Sequence, residues 1–208
     1  FLKWFWALFG AATFQNSILK WATDHRLHHR FVDTEQDPYS INKGFWFAHI
    51  GWMLRKQDPH PMAKAFSRDL KKDPVVYYQD KYYLPIALVM GFGLPTLIGV
   101  FMGSALGGLA FGGFVRMVLV HHGTFFINSA AHWWGQKTFT DENTAKDNHL
   151  LAFLTMGEGY HNFHHLFAND YRNGIRWFHW DPTKWAIALT SKLGWAHSLK
   201  TASDEEDR

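Results

Sequence analysis

The sequence predicts an all-α fold, an integral membrane helical bundle with about three transmembrane helices and a cytosolic helical cap. Three observations lead to this prediction. Between Leu84 and Val120 only Arg116 is charged, residues 1–19 are almost as apolar, and nearly all Lys and Arg lie in the polar remainder. The length of 208 residues suits a single domain, and because the chain opens on Phe1 inside an apolar run, we expect it to be a partial one.

The first element is a transmembrane helix over residues 1–19, which we expect to be cut at its start. Apart from Lys3, its polar residues are confined to its end, at Gln15, Asn16 and Ser17. The helix is expected to run directly into "DHRLHHRF", which begins at Asp24.

Residues 20–83 form the first predicted cytosolic segment. Asp-Pro pairs at 37–38, 58–59 and 73–74 interrupt residues 36–83, so short helices lying along the membrane face are expected there. Tyr and Trp are typical interfacial anchors. The aromatic residues assigned this role are Trp46, Trp52, Tyr77, Tyr78, Tyr82 and Tyr83.

Residues 84–120 are about twice as long as the ~18–25 residues of one membrane-spanning helix, which predicts a transmembrane hairpin. The small residues Gly103, Ser104, Gly107 and Gly108 mark its turn and favour close helix packing. A buried hairpin in a soluble protein is the alternative, but a chain this short can hardly supply the enclosing protein shell.

Residues 121–208 form the second cytosolic segment and end in "TASDEEDR", predicted to be a disordered tail. Apart from Lys3 and Arg116, every Lys and Arg lies between Lys20 and Lys81 or from Lys137 onward. The positive-inside rule therefore places both polar segments in the cytosol, and the hairpin turn outside or in the lumen.

The amino-acid composition restricts which partners and metal ligands are possible. The net charge of +3 is modest and the basic residues are not clustered, so nucleic-acid binding is not expected. The chain has no Cys and 14 His, so any metal ligands must be nitrogen or oxygen atoms, and histidine is the obvious source.

The spacing H-x-x-H-H occurs twice, at 25–29 and at 161–165. Positions i, i+3 and i+4 share one helix face, so the three side chains of each copy can point at one place. "NSAAH" at 128–132, at the end of the hairpin, adds further candidates on the same predicted side of the membrane. The candidate metal ligands are His25, His28, His29, His132, His161, His164 and His165, with Asn128 beside them.

Neighbouring imidazoles cannot all be protonated, because the cations repel, whereas coordination uses the neutral ring. More than four nitrogens exceed the need of one tetrahedral zinc, which favours two metals and redox-active iron. Asp24 and Glu158 could orient imidazoles by accepting their second N–H, although capping or surface roles are equally open. We expect His121 and His122 to form a helix-face or interfacial pair, and the isolated histidines to have surface or packing roles; these are His49, His60, His149, His179 and His197.

Several stretches, in order along nearly the whole chain, carry a resemblance to a known family. They are "FQN" at 14–16, "DHRLHHRF" at 24–31, "GFWFAHIGWMLRK" at 44–56, "NSAAHWWG" at 128–135 and "GEGYHNFHH" at 157–165. With them the chain resembles the membrane fatty acyl desaturases, particularly the stearoyl-CoA desaturase type. That resemblance implies two iron ions held by nine histidines, seven of which match the candidates above, with Asn128 reaching one iron through water. The family's H-x-x-x-x-H motif is absent, so we expect the chain alone to be inactive.

The resemblance implies O2-dependent desaturation of a fatty acyl thioester, of the delta-9 acyl-CoA type, which leaves a cis double bond. It implies that Thr124 and Phe125 line the kink of an acyl tunnel, where the family usually has Trp at the second position, and that Asn16, Arg55 and Lys56 contact the CoA moiety. Lys20 and Thr23 depart from the animal-type pattern, so another thioester carrier or a complex lipid stays open as substrate.

The expected partners are membrane lipid and an external electron carrier with its reductase, because no flavin, nicotinamide or haem motif is present. The carrier would be of the cytochrome b type, a ferredoxin or a rubredoxin. The active site is expected on the cytosolic face of a bacterial inner membrane or the endoplasmic reticulum. Two alternatives remain at this point: an acyl-lipid desaturase or hydroxylase of the same superfamily, and a non-catalytic histidine-rich metal-binding or transport protein.

Overall fold

The structure, a computed structural model, describes residues 1–56 and 58–202. It contains two compact units, the first formed by Phe1–Arg30 and Asp58–His122, the second by the described parts of Phe31–Gln57 and Gly123–Arg208. All named elements in the described residues are helical, which confirms the all-α prediction, and the two β-bridges found among them are isolated. The predicted disordered tail lies, from residue 203 onward, outside the described residues.

The first unit contains the more apolar helices. Its α-helices are Leu2–Ala11, Ile18–Phe31, Ala63–Phe66, Pro74–Lys81, Tyr83–Leu88, Leu94–Phe101 and Ala105–Gly107. Leu70–Lys72 is a 3₁₀ turn, and Val89–Gly93 and Gly108–Val115 are π-helical. The helix Arg116–Asn128 begins in this unit and ends in the second.

The opening segment does not form one helix over residues 1–19. The first helix ends at Ala11 and the next begins at Ile18, with Phe14 (φ 58°) and Asn16 (φ 72°) in the left-handed region between them. The Asn16 backbone N–H donates to the Tyr83 hydroxyl at 3.1 Å. The polar residues that the sequence analysis placed at the end of a span therefore break the helix instead, because they bond locally and to a neighbouring helix.

Two helices are long and apolar enough to cross a membrane, Tyr83–Phe101 and Ala105–Trp133. In the most apolar 18-residue stretch of each helix, only 17% and 11% of the residues are buried, which is unlike the core helices of a soluble domain. The turn between them includes Gly103, whose φ is 89°. Gly99 and Gly108 pack closely, since a Cβ at Gly99 would lie 2.7 Å from the Gly108 Cα. A helical hairpin with a close small-residue contact is present, as predicted, while its transmembrane character stays a prediction. Gly107 and Gly108, predicted to lie in the turn, lie just inside the second helix.

Arg116, the lone charge of the hairpin, binds backbone carbonyls. Its guanidinium donates to Gly112 O at 2.7 Å, Ala12 O at 2.9 Å and Gly91 O at 3.2 Å. Gly91 and Gly112 lie in the two π-helical stretches, where the regular i to i−4 ladder is interrupted. Arg116 thus supplies hydrogen-bond donors to carbonyls at these interruptions of the helices.

The second unit consists of short helices and loops. Its helices are Phe45–His49, Ala130–Trp133, His149–Leu154, His161–Leu166 and Pro182–Lys192, with 3₁₀ turns at Ile41–Lys43 and Gly51–Leu54. A small hydrophobic core joins Ala130, Ala131 and Leu151. The short helices expected within 36–83 do form. Of the aromatic residues expected to be anchors, Trp46, Tyr77, Tyr78 and Tyr82 are exposed, whereas Trp52 and Tyr83 are half-buried, and the anchoring role stays a prediction.

Candidate metal centre

The first histidine helix, Ile18–Phe31, places His25, His28 and His29 on one face, as predicted. The Nε2 atoms of His25 and His29 are 3.1 Å apart. The His28 ring lies 6.4 Å from that of His25 and 5.8 Å from that of His29, and only 2% of the residue is exposed. Periodicity alone therefore brings these three rings together.

Exposed ion pairs flank this helix. Arg26 donates to Asp69 through both terminal guanidinium nitrogens at 2.7 and 2.9 Å, and Arg26 also donates to Phe66 O at 2.7 Å. The Arg26 hydrogen bond holds the pKa of Asp69 at about 2. Asp24, a predicted imidazole partner, accepts a hydrogen bond from Lys20. Its role toward an imidazole stays a prediction.

The second histidine helix, His161–Leu166, is only six residues long and is held from its N-terminal end. Asp147 Oδ1 accepts from the backbone N–H groups of Asn162 and Phe163, at 2.8 and 3.3 Å. The Asn162 side chain, fully buried, accepts from the N–H groups of Phe139 and Thr140 and donates to the carbonyls of Thr140 and Ala145. These bonds join the helix to the loop over residues 136–147.

Three imidazoles converge within the second unit. His161 Nε2 lies 3.1 Å from His132 Nε2 and 3.1 Å from His165 Nε2, and the ligand nitrogens of all three lie within 4.8 Å of one another. His132 and His161 are almost completely buried. The second histidine helix also contains His164, whose ring centroid is 5.7 Å from that of His161.

Protons alone do not account for this arrangement. A ring nitrogen carries either one proton or one lone pair, so His161 Nε2 cannot make a separate linear hydrogen bond to each of its two neighbours. One cation shared by three lone pairs satisfies all of them. Two nitrogens at about 2.1 Å from one ion and about 90–109° apart lie about 3.0–3.4 Å from each other, which matches both 3.1 Å distances. The residues present therefore fit a metal ion with imidazole ligands.

The other ring nitrogen of His132 has a partner that the sequence analysis missed. His132 Nδ1 lies 2.8 Å from Thr144 Oγ1, and the Thr144 hydroxyl lies 2.6 Å from Asp33 Oδ1. Asp33 and Thr144 are 111 residues apart, so no local pattern could have connected them. Asp24 and Glu158, which the sequence analysis chose for this role, were preferred because they adjoin the histidine motifs.

Glu158, the other predicted imidazole partner, faces a different environment. Burial, and secondarily the charge of Asp181, raises the pKa of Glu158 to about 7, although an Asn173 hydrogen bond opposes the shift. Asp181 is itself fully buried and accepts from the backbone N–H groups of Asn173, Gly174 and Lys184. Glu158 thus belongs to a carboxyl pair, and an imidazole contact stays a prediction.

The remaining candidates around "NSAAH" lie close together in the second unit. Asn128 is the last residue of its helix and is half-buried, as is Thr124. Phe125 is buried against the rings of His49 and Trp52. His49, expected to have an ordinary packing or surface role, is buried and lies 2.9 Å from Ser129 Oγ.

The three predicted CoA contacts are exposed. Asn16 lies in the first unit, and Arg55 and Lys56 lie in the second. The Arg55 guanidinium is 5.9 Å from the centroid of the Phe47 ring. An exposed position is what a soluble head group requires, and contact with CoA stays a prediction.

Two of the histidines not assigned to the metal, His121 and His179, have contacts outside the candidate centre. His121 Nε2 lies 2.7 Å from Thr13 O, so this ring forms a hydrogen bond to the segment that follows the first helix. His179 stacks on Tyr160, and its burial lowers the pKa of His179 to about 4. The rings of His179 and Tyr160 line a cavity of about 980 Å³, which is also lined by His149 and Asp147. No sequence motif indicated this cavity.

Comparisons with known proteins agree with the resemblance. The "Fatty acid desaturase" family model matches residues 1–196. The chain is 47% identical over 206 residues to a "Probable acyl-CoA desaturase" of Schizosaccharomyces pombe, covering 99% of this chain and 43% of that protein. It is 45% identical over 203 residues to "Acyl-CoA desaturase 1" of Saccharomyces cerevisiae, covering 97% of this chain and 40% of that protein.

A third relative is "Delta(9)-fatty-acid desaturase fat-6" of Caenorhabditis elegans, 39% identical over 196 residues, covering 92% of this chain and 58% of that protein. The chain thus spans less than half the length of the two yeast relatives and somewhat more of the nematode one. Family model, identity and coverage together show that this chain belongs to the fatty acid desaturase family.

Proposed function

We propose that the protein containing this chain desaturates a fatty acyl thioester, of the delta-9 acyl-CoA type, and introduces a cis double bond with O2 as oxidant. The observation that carries the proposal is the convergence of the His132, His161 and His165 nitrogens in a member of this family. The names of the relatives support acyl-CoA as the substrate and the delta-9 position as one outcome in the family.

The proposed centre contains two iron ions. Their ligands from this chain are His25, His28, His29, His132, His161, His164 and His165, with Asn128 reaching one iron through water. Support comes from the 3.1 Å spacing between Nε2 atoms in both histidine helices, and from a ligand count too large for one ion. Bound iron would supply the oxidising power that an unactivated methylene C–H bond demands and that no side chain has.

The chain's own residues have three tasks in this proposal. The imidazoles hold the metal through unprotonated ring nitrogens, because coordination uses the neutral ring. Thr124 and Phe125 shape the apolar path of the acyl chain and exclude water from it. Asn16, Arg55 and Lys56 hold the soluble end of the substrate, where Arg and Lys are natural partners for phosphate groups.

We further propose a multi-pass membrane protein with about three spans in this chain and the metal centre on the cytosolic face. The two apolar helices and their exposed surfaces support a membrane location. The charge distribution supports the orientation. Electrons would come from an external carrier of the cytochrome b, ferredoxin or rubredoxin type with its reductase.

Product analysis of the full-length protein tests the reaction. Membranes containing it are supplied with a saturated acyl-CoA, O2 and an electron donor system, and the acyl products are analysed by mass spectrometry. We expect loss of two hydrogens, whereas gain of one oxygen atom would identify a hydroxylase.

Ligand variants test the site. His28→Ala, His132→Ala and His161→Ala are expected to abolish desaturation and lower the iron content while membrane insertion persists, and the exposed His197→Ala serves as the matched control. Wild-type activity in a ligand variant would contradict the assignment. One zinc and no iron in the purified protein would favour a metal carrier instead.

A further inference from the structure

Within the second unit, a chain of hydrogen bonds leads from a carboxylate to the buried His132 ring. Asp33 Oδ1 and Oδ2 accept from the hydroxyl and the backbone N–H of Thr144, at 2.6 and 2.7 Å. The Thr144 hydroxyl oxygen lies 2.8 Å from His132 Nδ1. On the far side of the ring, His132 Nε2 faces His161 Nε2.

The direction of each hydrogen bond follows from the proton count. An ionised carboxylate only accepts, so the single hydroxyl proton of Thr144 is donated to Asp33. The Thr144 oxygen must then act as acceptor toward His132, and His132 Nδ1 must carry the proton. In the neutral ring this leaves the lone pair on Nε2, the atom that lies 3.1 Å from His161 Nε2.

The carboxylate is itself held in place. Asp33 lies two residues beyond the end of the first histidine helix, with φ of 64°, in the left-handed region that Asp tolerates better than most residues. Its backbone N–H donates to Asp37 Oδ2 at 3.2 Å, and its carbonyl accepts from Asn42 Nδ2 at 2.7 Å. These bonds direct the Asp33 side chain toward Thr144.

We propose that Asp33 and Thr144 are positioning residues that hold His132 in the Nδ1–H tautomer, so that Nε2 presents its lone pair to a metal ion. This inference rests on the proposed function, in which His132 is a ligand. Partners that orient a metal-bound imidazole typically change metal affinity about 10–100-fold when they are removed. Thr144 would fix both the orientation and the tautomer of the His132 ring. Its hydroxyl proton is donated to Asp33, so its oxygen can only accept the hydrogen bond from His132 Nδ1.

Metal retention by the full-length protein tests the proposal independently of activity. The purified protein is treated with a ferrous chelator, and the iron remaining is followed over time together with the thermal unfolding midpoint. Thr144→Val removes the hydroxyl at nearly constant volume and is expected to lower iron affinity about 10–100-fold. Thr144→Ser restores the hydroxyl and is expected to retain iron nearly as well as the wild type. Asp33→Asn removes the carboxylate charge and is expected to fall between these two.

Thr155→Val is the matched control, since the Thr155 hydroxyl is buried and donates to a backbone carbonyl, Leu151 O, at 2.8 Å rather than bonding a histidine. Wild-type iron retention by Thr144→Val would overturn the inference, as would equal losses in the Thr144→Val and Thr155→Val variants. Failure of Thr144→Ser to restore retention would also overturn it. His132→Ala separates the two proposals: if that variant keeps all its iron, His132 is not a ligand and the proposed centre itself is wrong.

Discussion

The two histidine helices share the spacing H-x-x-H-H but are supported differently. The first, Ile18–Phe31, has 14 residues and is flanked by exposed ion pairs such as Arg26 with Asp69. The second, His161–Leu166, has six residues, and buried hydrogen bonds from Asp147 and Asn162 hold it. Helices shorter than about 12 residues are marginal alone, so the second depends on tertiary contacts to form at all.

The same spacing of histidines can therefore be held in place by local helix geometry in one copy and by tertiary contacts in the other. In the first helix, a regular backbone places three rings on one face, and distant residues contribute little to that placement. In the second, the ring positions follow from a loop over 136–147 and a carboxylate that accepts from the first turn. Substitutions outside the histidines should therefore affect the two copies unequally.

The largest effect is expected at Asn162. Asn162→Ala leaves up to four buried backbone groups without their partner, at about 1–3 kcal/mol for each one unsatisfied. We expect a markedly lower thermal unfolding midpoint and loss of iron in the full-length protein. Asn162→Asp keeps the acceptor oxygen and should lose less stability than Asn162→Ala. If both variants keep the midpoint and iron content of the wild type, the second helix does not need this support.

An intermediate, pH-dependent effect is expected at Glu158. Its pKa is raised from 4.5 to about 7 by burial and by Asp181, so the folded state favours the protonated carboxyl. The stability that this group contributes is full below pH 4.5 and is lost as the pH rises through about 7. Glu158→Gln removes this dependence, and by pH 8 its unfolding midpoint should exceed that of the wild type by about 2–4 °C, or about 1 kcal/mol.

Thermal unfolding at a series of pH values between 5 and 8 measures the Glu158 effect. Glu142→Gln, a change of an exposed carboxylate in the same unit, is the matched control. A midpoint difference that does not grow with pH would show that the Glu158 carboxyl is not protonated in the folded protein.

The smallest effect is expected at Arg26 in the first histidine helix. Solvent screens the exposed Arg26–Asp69 pair, so Arg26→Ala should change the unfolding midpoint less than Asn162→Ala and leave the iron content unchanged. The pKa of Asp69 is about 2, so the pair contributes above pH 3.8 and is lost as the pH falls toward 2. The unfolding midpoint and the iron content are therefore measured at pH 7, where the ion pair is intact, with Arg26→Lys as the control. Iron loss in Arg26→Ala equal to that in Asn162→Ala would remove the contrast between the helices.

Hydropathy and spacing predicted much of the fold. The charge-poor run from 84 to 120 predicted the hairpin, and its glycines predicted a close contact, because both depend on local composition. The prediction of one continuous helix over residues 1–19 was wrong. Gln15, Asn16 and Ser17 are too few to interrupt an apolar pattern, yet the first helix ends at Ala11 and left-handed Phe14 and Asn16 separate it from the helix that begins at Ile18.

By itself, the sequence determined that three histidines of each motif share a helix face, since side-chain direction repeats with the backbone. It also determined that no metal ligand is a thiolate, because the chain has no Cys. Only the tertiary structure decided which nitrogen of His132 faces Thr144 and which faces His161, because Asp33 and Thr144 approach that ring from positions 111 residues apart. It likewise decided that Glu158 faces Asp181, since burial and through-space charge depend on the fold and cannot be read from neighbours in the chain.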